Sequence, residues 1–152
     1  MVTSLSTDLP EAYSRALEEL PPEAHALVSR ARAARGRSPA ERDQALVAVV
    51  LSYRAGPRRL WAPVLLGLLG PALLERLQRL GEQPPVVNEE DIRQQFVVEL
   101  LHLAETLPLR DGRYLRSRLL LRTNQAVRRW LANEGFRRRA QVSFDALEDD
   151  YR

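Results

Sequence analysis

The sequence predicts an all-α fold, a compact multi-helix bundle with an N-terminal helical arm, on three observations. Helix-start signals recur at short intervals, apolar residues repeat at helical spacing, and the period-two alternation of strands is nearly missing. Asp8 followed by Glu11 reads as a capping box that opens a helix to about Leu20. Pro21-Pro22 starts a second helix that stops at Gly36, so residues 1–37 form the arm. Ser38-Pro39-Ala40-Glu41 repeats the start signal, with serine as cap, proline at the first helical position and glutamate three residues after the cap. The helix it opens runs to about Ala55, where Gly56-Pro57 punctuates. A helix from Arg58 to about Leu69 follows, and Gly70-Pro71 introduces another that ends at Gly81, giving an apolar helical hairpin.

Residues 82–87 form a Pro-Pro linker, after which Asn88 caps a helix over 89–107 that ends before Pro108. Ile92, Phe96, Leu100, Leu103 and Leu107 fall on one face of it and predict core. Asp111-Gly112 makes a turn. A helix over 113–134 comes next, with Leu119, Leu120, Val127, Trp130 and Leu131 inward and Gly135 as its stop. The helical domain so defined covers 38–140. An acidic tail, 141–152, carries one short helix capped by Ser143.

Composition narrows the function classes. At 17.3 kDa the chain fits one domain plus an appendage, and 45% hydrophobic with 28% charged residues is ordinary for a globular protein. Cys 0 removes a disulfide framework, a thiolate nucleophile and cysteine zinc sites, while His25 and His102 alone make a metal cluster remote. No paired carboxylates, Gly-rich phosphate loop or nucleophile constellation can be assembled, so neither catalytic residues nor a cofactor nor a metal are expected. Met1 to Pro10 lacks a basic start followed by an apolar run, which predicts a cytoplasmic protein. The most apolar stretch, Leu60 to Leu74, is shorter than the roughly 20 residues of a spanning helix, so no membrane is expected either.

All 23 basic residues are arginine, and their placement is uneven. Arg110 to Arg139 holds ten arginines against two acids, a net +8, whereas the segments on either side are net negative. On a helical wheel Arg118, Arg122, Gln125, Arg129 and Asn133 share a stripe opposite the apolar face. Arginines neutralise phosphates and amides hydrogen-bond base edges, so this mixture suits a DNA-reading helix. Tyr114, Trp130 and Phe136 add aromatic surface for stacking on an unpaired base. The same pattern also fits a solvated arginine face with aromatics in the core. The helix over 89–107 turns Asp91, Gln94, Gln95, Val98, Leu101, His102 and Glu105 away from its core stripe. Aliphatic residues ringed by amides and carboxylates read as a protein contact surface, or as a face covered by the N-terminal arm. His102 lacks a partner that would make it a catalytic base.

The order of these features is similar to region 2 of bacterial RNA polymerase sigma factors, over roughly Ala45 to Asp150. An apolar helical unit precedes Asp91-Ile92-Arg93-Gln94-Gln95, then a turn, then an arginine-rich helix with Asn124-Gln125-Ala126-Val127-Arg128-Arg129-Trp130-Leu131. Arg137-Arg138-Arg139 and Val142-Ser143-Phe144-Asp145-Ala146-Leu147 also resemble the segment C-terminal to that region in many members. The resemblance implies that Asp91, Gln94, Gln95 and Val98 dock on RNA polymerase core. It also implies that Arg122, Gln125, Arg128 and Arg129 hold −10 promoter DNA, with Arg118 and Asn133 added by the wheel. Gln95 stands where the family usually has glutamate, and Leu121-Arg122 where its best-known members have paired tryptophans. No second helix-turn-helix follows in this sequence, which implies a truncated chain, a region-2-only relative, or a split factor whose second subunit reads the −35 element. The alternative is a non-enzymatic helical adaptor whose basic helix binds an acidic protein partner.

Overall fold

The computed structural model describes residues 9–32, 38–80 and 87–150, and among these are six helices and no strand. In chain order they are α1 Leu9–Glu19, α2 Pro22–Arg32, α3 Pro39–Ala55, α4 Arg58–Arg79, α5 Glu89–Thr106 and α6 Leu115–Asp150. The all-α expectation is borne out. Two start signals act as expected: the Ser38 hydroxyl accepts from the Glu41 N–H at 3.2 Å, and the Asn88 side chain accepts from the Asp91 N–H at 2.8 Å. Asp8, Gly36 and residues 81–86 lie outside the described residues, so the first capping box, the stops at Gly36 and Gly81 and most of the linker do too.

α4 corrects the expected hairpin. Arg58 to Arg79 is one helix with Pro63 and Pro71 inside it. Each proline removes a helix hydrogen bond and costs about 3 kcal/mol. Burial offsets this, because Trp61, Val64, Leu65, Leu66, Leu69 and Leu73 all leave water, at roughly 1.5–3 kcal/mol for each large aliphatic or aromatic side chain. α4 is long and apolar enough to cross a membrane. Here its apolar residues form the centre of the core, against α1, α2, α3, α5 and α6.

α1 lies along α4, and α2 along α3. Ala16, Leu20, Ala24 and Val28 belong to the same apolar core as Val49, Leu65, Leu100 and Leu119. The approach of α1 depends on Gly67, where a Cβ would stand 2.3 Å from the Tyr13 ring.

On α5, Ile92, Phe96 and Leu100 are buried as predicted, but the stripe continues through Ala104, leaving Leu103 and Leu107 half-buried. Arg54, at the end of α3, closes the far end of α5. Its guanidinium donates to the carbonyls of Ala104 at 2.8 Å and Leu107 at 2.6 Å.

α6 departs from expectation at both ends. It begins at Leu115, so Arg113 lies in the turn, and it runs through Gly135 and Ser143 to Asp150 without a stop or a second start. A glycine inside a helix costs only about 1 kcal/mol relative to alanine. Gly135 is buried, and Arg137 bridges back across it to Glu134 at 3.3 Å. Leu115, Leu119, Leu120, Val127 and Leu131 face the core, with Trp130 half-buried at its edge. Thr123 is also fully buried there, its hydroxyl donating to the Leu119 carbonyl at 2.7 Å.

The start of α6 is capped from another helix. Tyr114 precedes α6 with φ 56 and offers no capping oxygen, while the buried Asp43 carboxylate of α3 accepts from the Arg116 N–H at 3.2 Å. Gln44 donates to the Asp111 carbonyl at 3.2 Å, and a Cβ at Gly112, whose φ is +80, would stand 2.8 Å from Val47.

Asp43→Ala should lower stability by about 1–2 kcal/mol in urea titration, as loss of a helix N-cap does. Gly67→Leu should displace Tyr13, lower Tm and raise the rate of proteolytic cleavage within residues 9–20, with α3 to α6 remaining helical by circular dichroism.

Candidate functional site

The core face of α6 fixes which residues face outward. With Leu119, Thr123, Val127 and Leu131 inward, Gln125 lies at the middle of the opposite side, Arg122 and Arg129 beside it, and Asn133 one turn further on. Arg128 flanks Gln125 on the other side, next to Leu121. All six are exposed, Leu121 at 53%. Among the described residues, Arg122, Gln125, Arg128, Arg129 and Asn133 make no side-chain hydrogen bond or ion pair. Three guanidinium groups therefore stand in solvent with no described acid against them, a concentrated positive field on a rigid element.

Arg118, expected in the same stripe, is placed differently. It is half-buried, and its guanidinium donates to the carbonyls of Pro108 at 2.7 Å, Leu109 at 3.0 Å and Arg113 at 3.2 Å. This arginine ties the α5–α6 turn to the first turns of α6. Each such charged hydrogen bond contributes more than a neutral one.

The turn itself is basic and uncovered. Arg110, Asp111, Arg113, Tyr114 and Arg118 line an open depression of about 500 Å³, and Tyr114 is 71% exposed. Asp111 Oδ1 accepts from the Arg113 N–H at 3.0 Å, and its carboxylate lies 3.6 Å from the Arg113 guanidinium. Tyr114 is thus aromatic surface at the head of the arginine stripe, whereas Trp130 packs against the core.

The outer face of α5 holds the other expected site. Asp91, Gln94 and Gln95 are half-exposed, Gln95 donates to Glu99 at 2.9 Å, and Val98 is 49% exposed. Leu101 is half-buried and His102 exposed. Glu105 pairs with Arg58 at 2.8 Å, and Arg58 in turn lies over the Tyr53 ring at 5.4 Å. Burial raises the pKa of the Tyr53 hydroxyl above its ordinary value, against the opposing pull of Arg58 and with a smaller push from Glu105. The helices of the N-terminal segment lie mainly on α4 and α3, leaving Val98 open.

Sequence reasoning missed the structural duties of Arg118, Arg54 and Asp43. The last had only a faint signal: the helix after Asp111-Gly112 begins with no Ser, Thr, Asp or Asn directly before it, which leaves its first N–H groups open to an acceptor from another element. No group of three or more metal-ligating side chains occurs among the described residues.

Comparison of the chain with family models, with curated proteins and with solved structures finds no match.

Arg118→Ala should loosen the turn between Pro108 and Tyr114, increasing amide hydrogen exchange there and lowering stability by about 2–4 kcal/mol, since charged hydrogen bonds contribute about 1.5–3 kcal/mol each and water replaces some of them.

Proposed function

We propose that this chain is a non-enzymatic, sigma-like transcription protein that binds promoter −10 DNA through α6 and RNA polymerase core through α5. One observation carries the reading: Arg122, Arg128 and Arg129 surround Gln125 on an exposed helix face, with no described acid paired to them. Guanidinium groups held this way release counterions from nucleic acid, and a central amide can read a base edge. Arg118 acts in this reading by positioning α6 rather than by touching phosphate. Val98, open beside Gln94 and Gln95, supplies an apolar centre for the polymerase contact. In this reading the work is done in the cytoplasm.

A second reading is favoured by Leu121. An exposed leucine between Arg122 and Arg128 offers nothing to phosphate and suits a protein partner with acids around an apolar spot. Under that reading the chain is an adaptor that never meets DNA.

The two readings part in a titration of promoter DNA at several salt concentrations, with polymerase present. Arg122→Ala, Arg128→Ala and Arg129→Ala combined should flatten the dependence of log K on log salt by about 0.9 for each arginine that touches a phosphate. Gln125→Ala should relax base preference without changing that slope. An unchanged slope in the triple variant overturns the DNA half. Val98→Asp should abolish capture of core polymerase while circular dichroism stays that of the parent; retained capture overturns the polymerase half. Loss of a protein partner with Leu121→Gln, and no salt-dependent DNA binding by the parent, would establish the adaptor instead.

A further inference from the structure

Among the described side chains of α6 the buried positions end at Leu131 and Gly135. Every described side chain from Arg137 to Glu148 is exposed, Leu147 at 57%. The remaining fifteen residues extend about 22 Å at 1.5 Å per residue. Isolated helices of that length are marginal in water. Arg137 and Asp145 have local partners, Glu134 at 3.3 Å and Gln141 at 2.9 Å, both solvent-exposed contacts that are readily exchanged.

The charge order along this segment is self-complementary. Positions 137–139 are arginines, and positions 145, 148, 149 and 150 are acids. A second copy laid antiparallel brings the basic end of each segment alongside the acidic end of the other, at both ends at once. A parallel copy would set like against like. Between the charged ends, Ala140 and Leu147 are one heptad apart on the same side of the helix. A two-fold axis midway between them sets each Leu147 on the other chain's Ala140, a large residue against a small one.

We propose that residues 136–150 of α6 form an antiparallel two-helix dimer with the same segment of a second copy. The contact is isologous, as a two-fold axis requires, so it closes and does not propagate into filaments. Two 22 Å helices bury a modest surface, so the dimer forms and dissociates with protein concentration. The arginines of the α6 stripe, Arg122, Arg128 and Arg129, lie outside the pairing segment, so the association is independent of any ligand held by that stripe.

Sedimentation velocity of the full chain across a concentration series tests this. The parent should pass from 17.3 kDa to twice that mass, and the transition should move to higher concentration as salt rises. Leu147→Asp should remain monomeric throughout. A variant with Arg137, Arg138 and Arg139 changed to Glu, and another with Asp145, Glu148, Asp149 and Asp150 changed to Arg, should each be monomeric alone and form a heterodimer when mixed. A parent monomeric at its highest soluble concentration overturns the proposal. So do charge variants that dimerise alone as the parent does, or that fail to associate when mixed.

Discussion

The attachment of the α5–α6 turn to α3 governs where both exposed faces point. Asp43 supplies the acceptor that the start of α6 lacks, Gln44 holds the Asp111 carbonyl, and Val47 fits against the backbone of Gly112. From the other side Arg118 binds the carbonyls of Pro108 and Leu109. Arg54 does the same for the end of α5. Backbone groups at helix ends must find partners when water is excluded, and side chains from outside the turn provide them. The directions of α5 and α6 are thereby set relative to α3, and with them the positions of Val98 and of the Arg122 to Arg129 stripe.

The helices differ in how their charge is used. On α4 and α5, charged residues pair locally, as Arg93 does with Glu89 at 3.0 Å and Arg58 with Glu105 at 2.8 Å, which brings those surfaces closer to neutral. On the middle of α6 no such pairing occurs among the described residues, although the chain carries 20 acids overall. Self-repulsion among unpaired arginines opposes folding, and the burial of Leu119, Leu120, Val127 and Leu131 on the opposite side offsets it. A stripe kept in that condition is the physical basis on which a polyanionic partner is proposed.

Much of the fold is legible in the sequence because caps and apolar periodicity are local. Ser38 and Asn88 open helices where the sequence marks them as caps, accepting from the Glu41 and Asp91 N–H groups. The differences arise where tertiary burial overrides local chemistry. Gly70-Pro71 has the composition of a break, but α4 is packed on by five helices and continues through it. Gly135 has the composition of a stop, but it is a buried interior position. The outward residues of α6 are readable from the wheel alone, since 100° per residue sorts them without any knowledge of neighbours. Arg118 is not, because its partners are loop carbonyls whose position depends on where α6 begins. Leu121 is readable in position but not in purpose: the wheel puts it on the outward face beside Arg128, where nothing in the pattern explains an exposed leucine.

Gly135 therefore divides one unbroken helix into two thermodynamic regimes. Upstream, backbone hydrogen bonds open only when the core opens, because Leu115 to Leu131 are anchored in it. Downstream, the described support is the helical ladder and the Gln141–Asp145 contact, so its amides sense local fraying and not global unfolding. A single element thus spans almost the whole range of protection against isotope exchange that the protein can show.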